Sequence, residues 1–529
     1  MRNSAPPPPG ELPPSELAAR LAALAATLPA ADGALLLTVV ARNAALESEN
    51  AELRLTVQRL QKVGFGAPTE TSAHLLAPPP AAPGVRPGGE PKPKTKRPGH
   101  GRHGVDQYPG AQGQTTAHPT LGAGQACPQC PTGKLYALPP ARPLQVRAAP
   151  MFQATRHELE RLRCSGCGTV FTAPAPPALA HGKYAPSVGV MLALMRYGAG
   201  QPLYRQAKCQ TWFGVPLPAG VQWDLLAAAA PAPTAVYQAL IGVAAQAALL
   251  QNDDTTNRIQ SLRLRDRATP RADGRTGIFT TSIIAHPAAQ PVALFFTGTR
   301  HAGENLGALL QRRAAEHGPP LQMCDALSRN HPADQATVLC YCLLHGRRNF
   351  VDLLPQWPAE GRQVIASLRE VYRWEARART ERLTAAERLT LHQTHSAPVL
   401  AELKAWLTAQ QAGRQVEPNS SLGKAIAYLL NHWAPLTRFL EVPGAPLDNN
   451  ACERAIKMAI LHRKNSLSYK TEHGARVGDV FMSLIHTCAL GGINPYEYLL
   501  ALQVNAAAVL QDPAAWLPWN YPKSAATAN

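Results

Sequence analysis

The sequence predicts a multidomain α+β protein. Three observations carry this reading: a heptad-spaced helix near the N-terminus, two C-x-x-C pairs ahead of a helical region, and strand-like runs alternating with helical ones after residue 245. At 529 residues the chain has room for several domains. The boundaries fall as follows: 1–33, disordered and Pro-rich; 34–62, a coiled-coil helix; 63–125, a basic Pro/Gly-rich linker; 126–176, a zinc-ribbon-like module; 177–244, a helical region. Then come 245–355, the first part of an α/β core; 356–440, a helical insertion; 441–490, the last part of the core; and 491–529, a C-terminal helix and tail.

The formal net charge of +17 and a sequence pI of about 9.6 point to a polyanionic partner, nucleic acid first. Charge alone leaves ribosomal or membrane-surface binding open. Ten cysteines, four of them in C-x-x-C pairs, read as metal binding in a reducing compartment, not as a disulfide scaffold. The N-terminus lacks a signal-peptide apolar core, and no run of ~18 apolar residues suggests a membrane span. The expectation is a soluble cytoplasmic protein associated with the nucleoid.

Val39, Leu46, Leu53 and Leu60 recur every seven residues, with Leu36, Asn43, Asn50 and Val57 in the alternate seam. Asparagine at such positions favours a parallel dimer in one register, because it loses its partner in any other. The plainer alternative is one amphipathic helix packed on its own domain. The basic run Lys92, Lys94, Lys96, Arg97 and Arg102 is either a phosphate-neutralising arm or a solvated tail. Cys127 with Cys130 and Cys164 with Cys167 form two knuckles that together offer four thiolates to a tetrahedral, structural Zn²⁺. Gly166 and Gly168 would permit the second knuckle, and strands at Leu135–Arg147 and His157–Arg163 would bridge the 33-residue spacer. A redox pair or unrelated thiols are the alternatives. Three short helices at 186–198, 203–213 and 221–230 are either a helix-turn-helix or a packing layer.

The core begins with a strand through Leu249–Leu264 that carries Asp253. Strands at Ile278–Ala285 and Val292–Thr297 follow, then a helix at Glu304–Glu316, a strand Leu321–Cys324 ending at Asp325, and a strand Val338–Leu343. Three strands, a helix and two further strands, with acids on the first and fourth, is the order of an RNase H-like fold. A helix with His345, Arg347 and Arg348 comes next; these side chains either approach a phosphate or merely pack and decorate a helix start. Cys324, Cys342 and Cys452 are small buried-type residues with no assigned role. Helices at Leu484–Leu490 and Tyr496–Leu502 close the core.

Asp253, Asp325 and Glu453 are the candidate catalytic residues. Phosphodiester cleavage by two metal ions ~3.5–4 Å apart needs carboxylates converging from separate elements, and Mg²⁺ or Mn²⁺ suits such oxygen ligands. Asp253 and Asp254 are strand neighbours and point to opposite faces, so one of them faces the metals. Asp325 alternatively caps a loop. Glu453 opens a helix that Asp448 or Asn449 can cap, and it sits among Arg454, Lys457, Arg463 and Lys464. The bland reading there is a Glu453–Lys457 ion pair one turn apart.

The run Leu447–Leu467, LDNNACERAIKMAILHRKNSL, with Gly474–Leu502 after it, resembles the C-terminal part of IS66-family transposases. In that family the Glu of D-N-N-x-x-E-R is the last acid of a DDE triad, which maps onto Glu453. Other stretches are similar too: Gly64–Glu70 to an F-G-x-x-S-E segment, Cys127–Pro176 to a zinc module ending in A-P-A-P, and Pro202–Gln206 to the segment after it. Cys342–Phe350 resembles C-x-x-H-x-R-R-x-F, and Leu517–Asn520 the terminal L-P-W-N. Asp253-Asp254-Thr255-Thr256 departs from D-E-T-P at its second and last residues, with the proline missing, and Leu321–Asp325 is one residue longer than L-Q-x-D. The resemblance implies a DNA transposase that binds the inverted-repeat ends of its element and performs metal-dependent cleavage and strand transfer. It further implies a homodimer or higher assembly and small accessory proteins of the same element. A decayed or partner-dependent zinc-containing DNA-binding protein and a non-transposing nuclease of the same fold stay open.

Overall fold

The computed structural model describes residues 14–65, 75–76, 105–108, 111, 114–130, 132–146, 150–177, 182–413 and 416–522. The basic run from Lys92 to Arg102 and the segment after Phe65 lie outside them. The chain divides into two units, Met1–Pro78 with Arg156–Asn529, and Pro79–Thr155.

In the smaller unit, Cys127 and Cys130 sit on a tight knuckle. The Cys127 N–H donates to the Gly133 carbonyl at 2.8 Å, and the Gln129 N–H to Cys127 Sγ at 3.4 Å. A Cβ on Gly133 would stand 2.8 Å from Cys130 Sγ, so any other residue there would push that thiol aside. No strand forms over 135–146, against expectation. Pro139, Pro140 and Pro143 remove the donors a ladder would need.

The larger unit opens with two helices, α1 (Pro14–Ala25) and α2 (Ala30–Phe65), packed on each other. The expectation of disorder through residue 33 fails at α1: Pro14 starts a run of Ala, Leu, Glu and Arg, all good helix formers. On α2, Val39, Leu46 and Leu53 are all exposed, so the heptad stripe is not spent inside the chain. Next, β1 (Arg161–Arg163) pairs antiparallel with β2 (Val170–Thr172) around the second cysteine knuckle, where Gly168 takes φ +74°. Of the strand expected at His157–Arg163, only the end pairs.

Four helices precede the sheet: α3 (Pro186–Ala193, continuing as a π-turn over Leu194–Gly198), α4 (Leu203–Trp212), α5 (Ala219–Ala228) and α6 (Pro231–Ala245). The three helices expected by name ended at Ala230; α6 fills the rest of the region expected to be helical through 244, and its first turn holds Pro231 and Pro233. Proline is tolerated there because the first N–H groups have no helical partner anyway.

The core is a five-stranded sheet of β3 (Leu249–Thr256), β4 (Phe279–His286), β5 (Val292–Gly298), β6 (Leu321–Cys324) and β7 (Val338–Tyr341), ordered β5-β4-β3-β6-β7. β3–β4 and β4–β5 are antiparallel, and β3–β6 and β6–β7 are parallel. Strand β3 ends eight residues before the expected Leu264. The rest of that stretch is helix α7 (Gln260–Ala268), which buries Leu262 and exposes Arg263, Arg265 and Arg267. α8 (Ala302–Leu310) crosses between the antiparallel and parallel halves, ending sooner than the expected Glu316.

β5 is an edge strand, and its outward N–H groups need partners. They find them on α15 (Glu472–Leu490): Ala293, Phe295 and Thr297 donate to Thr487 Oγ1 (3.0 Å), Ser483 Oγ (2.9 Å) and Asp479 Oδ2 (2.7 Å). Acceptors every fourth residue make one helix stripe, matched to every second residue of the strand.

After β7 come α9 (Leu343–Leu353) and the insertion: α10 (Pro358–Thr380), α11 (Ala385–Ala412), α12 (Ser421–Asn431) and short α13 (Trp433–Leu436). Leu368, Val371, Leu403, Leu407 and Ile426 extend the apolar core built on Met323, Cys340 and Phe350. Buried Glu375 ties α10 to α11 through Arg388 Nε at 2.8 Å and His392 Nε2 at 3.0 Å. The chain then returns as α14 (Asn450–Ser466), α15 and α16 (Pro495–Val504). No single helix among the described residues is long and apolar enough to cross a membrane.

Candidate active site

Asp253 lies near the end of β3, beside its parallel neighbour β6, after which comes Asp325. Glu453 stands in the first turn of α14, which packs over β3 and β4. The structure thus brings together acids far apart in sequence. Burial, first, and then the charges of Asp325, Asp254 and Glu453 push the Asp253 carboxyl up to about 7, against the hydrogen bond its oxygen accepts from the Asp254 N–H. Among the described residues, no lysine or arginine forms an ion pair with Asp253, Asp325 or Glu453.

Strand alternation decides between the two neighbouring acids. Asp254 points to the other face, where its Oδ2 accepts from the Ala302 N–H at 3.1 Å and contacts His301 Nδ1 at 3.2 Å. It caps α8, where a carboxylate also suits the positive end of the helix dipole. Asp253 is left on the face of Asp325 and Glu453.

Uncharged side chains hold the acids in place. Asp325 Oδ1 accepts from Leu327 N–H at 3.2 Å and from Asn330 Nδ2, so it does cap its loop. Gln322 Nε2 and Asn252 Nδ2 both donate to the Asn330 carbonyl, at 2.7 and 2.9 Å, which fixes that loop against β3. Asn449 occupies the N-cap position of α14, yet its side chain does not cap. Its Nδ2 donates instead to the Asn252 carbonyl at 3.1 Å, one residue before Asp253. Asp448 takes the nearby role: its Oδ1 accepts from the Asn450 N–H at 3.1 Å. The Leu343 N–H donates to the Leu447 carbonyl at 3.0 Å, strapping the approach to α14 against the end of β7.

Asn252, Gln322, Asn330 and Asn449 were not singled out from the sequence as site residues. Asn252 and Gln322 are polar residues within apolar strand runs, a signal that could have found them.

The basic candidates divide. Arg454, Lys457 and Lys464 are exposed on α14, at spacings that share a face, and Lys457 forms no ion pair with Glu453 among the described residues. Arg463 is engaged: its Nη1 donates to Thr255 Oγ1 at 3.1 Å and Thr256 Oγ1 at 2.7 Å, tying α14 to the end of β3. Arg348 is exposed and Arg347 half-buried on α9. The cysteine pairs lie in different units; hydrogen bonds from Thr169 are the first cause that lowers Cys167 to about 7, and those at Gln129 and Cys130 lower Cys127.

One more group stands beside the acids. A metal-ligating atom from each of Cys342, His345 and Glu453 lies within 4.8 Å of the others.

A family model described as Transposase IS66 family matches residues 181–477, more than half of the chain. Two proteins of Sinorhizobium fredii (strain NBRC 101917 / NGR234) are similar over most of it. "Uncharacterized protein y4jD" is 29% identical over 386 residues, 68% of this chain and 71% of its own. "Uncharacterized protein y4hP" is 28% identical over 395 residues, 69% and 68%. A third from the same organism, "Uncharacterized protein y4qI", is 30% identical over 193 residues, 36% and 35%. No solved structure matches.

Proposed function

We propose, on the premise that the chain belongs to the IS66 family of transposases, that it is the DNA-cutting and DNA-joining protein of a mobile element. One observation carries the reading: the charges of Asp325 and Glu453 both act on the buried Asp253 carboxyl, beside the junction of the antiparallel and parallel halves of the sheet, and among the described residues no lysine or arginine forms an ion pair with any of the three. Such crowding is costly in a site that works alone and favourable in one that binds cations. The strand order, with one acid on the first core strand and one directly after the fourth, supports an RNase H-like core.

Asp253, Asp325 and Glu453 are all hard oxygen donors and suit Mg²⁺ or Mn²⁺. When bound, such ions activate a water or 3′-OH and neutralise charge on the phosphate under attack. The chain's own part is positional. Asn449 and the Asn252–Gln322–Asn330 amides keep the acids from drifting, and Arg454, Lys457 and Lys464 offer a face to the phosphate backbone. Cleavage at inverted-repeat ends followed by strand transfer is the reaction we assign.

The exposed heptad stripe of α2 supports pairing of two copies. The four cysteines of residues 126–176 support a structural zinc module, and the Lys92–Arg102 run a DNA-binding arm. Residues 177–244 serve as a helical layer, and 356–440 as an insertion within the catalytic core. Accessory proteins of the element join at its ends. With a charge of +17 and its cysteines free, the protein belongs with cytoplasmic, nucleoid DNA.

The test is Mg²⁺- or Mn²⁺-dependent nicking and joining of element-end DNA by the full chain, with Glu453→Gln beside it. Wild-type strand transfer that the substitution abolishes supports the assignment. Cleavage without joining would favour a nuclease. Tight binding with no cleavage, even with accessory proteins added, would refute the catalytic reading.

A further inference from the structure

The set Cys342, His345 and Glu453 is unlike the acids around it. Cys342 ends the β7 connection and occupies the N-cap position of α9, and His345 follows in the first helical turn. That spacing puts a thiol and an imidazole on one face. Cys342 is fully buried, with its Sγ 4.0 Å from Glu453 Oε1. His345 Nδ1 is buried and has no hydrogen-bond partner. A buried ring nitrogen with none is costly and calls for an explanation. His345 and Glu453 are themselves only half-buried, so the cluster has an open side.

This donor set does not match Mg²⁺, which takes oxygen ligands in an octahedron. One sulfur, one nitrogen and one carboxylate oxygen, with a fourth position free, is the ligand chemistry of Zn²⁺. We infer that Cys342, His345 and Glu453 form a second, thiophilic metal site in which a Zn²⁺-class ion withdraws Glu453 from the catalytic acids and so inhibits the protein. The inference rests on the proposed function only for its second half, because the site exists whether or not the chain cuts DNA. On binding, the Cys342 thiol releases its proton to solvent and its thiolate, the imidazole and the carboxylate become ligands; no redox step is involved. At equal access Zn²⁺ outcompetes Mg²⁺ at nitrogen and sulfur donors, so small amounts of free zinc act against a large excess of magnesium. The Cys342 Sγ also accepts the Asn449 N–H at 3.3 Å, so the ion would form beside the clamp that positions α14.

The test uses the full chain as wild type, Cys342→Ser and His345→Gln. Serine keeps an acceptor for the Asn449 N–H, and circular dichroism checks that each variant is folded. Bound zinc is counted after equilibration against a zinc buffer, and Mg²⁺-dependent nicking is followed as free Zn²⁺ is raised. The zinc module contributes equally to all three proteins. We expect wild type to hold one more zinc than either variant, and the half-inhibiting concentration to rise at least about tenfold in both, since the loss of even an outer-shell partner costs ~10–100-fold in affinity. Equal zinc content in the three folded proteins overturns the site. A zinc difference with wild-type nicking insensitive to Zn²⁺ overturns the inhibition. If no protein nicks DNA while the zinc difference persists, the proposed function has failed and the metal site stands.

Discussion

Replacing Asp253 with Asn should stabilise the metal-free protein while abolishing its activity. Asp253 is mostly buried and faces two other acids, and its carboxyl is pushed from 3.8 to about 7, first by burial and then by their charges. For an acid shifted upward, the folded state is penalised when the group ionises: stability is greatest below the unfolded pKa and falls until pH passes the folded one. Above pH 7 nearly the whole penalty is present, and a shift of this size corresponds to on the order of 4 kcal/mol. Asparagine keeps the one favourable contact, since its Oδ1 can still accept the Asp254 N–H that Asp253 accepts at 2.8 Å. The assay is urea unfolding in EDTA at pH 8, repeated with Mg²⁺. The variant should unfold at higher urea than wild type in EDTA. Mg²⁺ should then stabilise wild type by binding only its folded state, and the variant far less. A variant as labile as wild type in EDTA, or more so, would refute the idea that the acids are uncompensated.

Asn449→Ala should cost about 1–3 kcal/mol by orphaning the buried Asn252 carbonyl. Once folded, it should also lose on the order of 100-fold in nicking rate as Glu453 drifts; denaturation and single-turnover nicking read the two effects separately. Asp479→Asn should flatten the fall of stability with pH, because burial, against two hydrogen bonds from Thr297, raises Asp479 from 3.8 to about 8. Its contribution is full below 3.8 and is lost toward pH 8 at about 1.4 kcal/mol per unit, so unfolding midpoints at pH 5 and 8 should differ less in the variant. Leu46→Glu with Leu53→Glu should convert a self-associating chain to a monomer in sedimentation, with the far-UV spectrum of the folded chain kept, because both side chains are exposed on α2.

What could be read from the sequence was local. The core strands came within a residue or two wherever apolar runs were bounded by Gly, Pro or Asp, as at Val292–Gly298 and Leu321–Cys324. The exception is instructive. Leu249–Leu264 has leucines on both sides of Asn257, with Thr255 and Thr256 before it and Ile259 after, and nothing local says that β3 stops at Thr256 so that the segment after α14 can return alongside; the Tyr469 N–H donates to the Arg258 carbonyl at 2.9 Å. Helix α15 was read only from Leu484, although Asp479, Ser483 and Thr487 already follow a helical spacing. Polar residues on that stripe look like a solvent face until the strand edge they satisfy is known. The acids drew notice in the sequence because their chemistry is rare; the amides around them did not, since an asparagine's partner is a carbonyl 197 residues away.

The choice of holders has a consequence of its own. An arginine beside Asp253 or Glu453 would fix an acid more strongly than an amide, through a charge-assisted hydrogen bond. It would also lower that acid's pKa and compete with any cation for the same oxygens. Asn252, Gln322, Asn330 and Asn449 fix position while adding no charge, and Arg463 of α14 is bonded to threonines at the end of β3 instead. The site therefore keeps its negative field, and its order does not depend on neutralising it. Asp254, the strand neighbour of Asp253, is instead turned to the opposite face, where it accepts from the first N–H of α8. On the zinc site we propose, an ion that takes Glu453, the acid bordered by Cys342 and His345, would leave these amide contacts of the other acids in place.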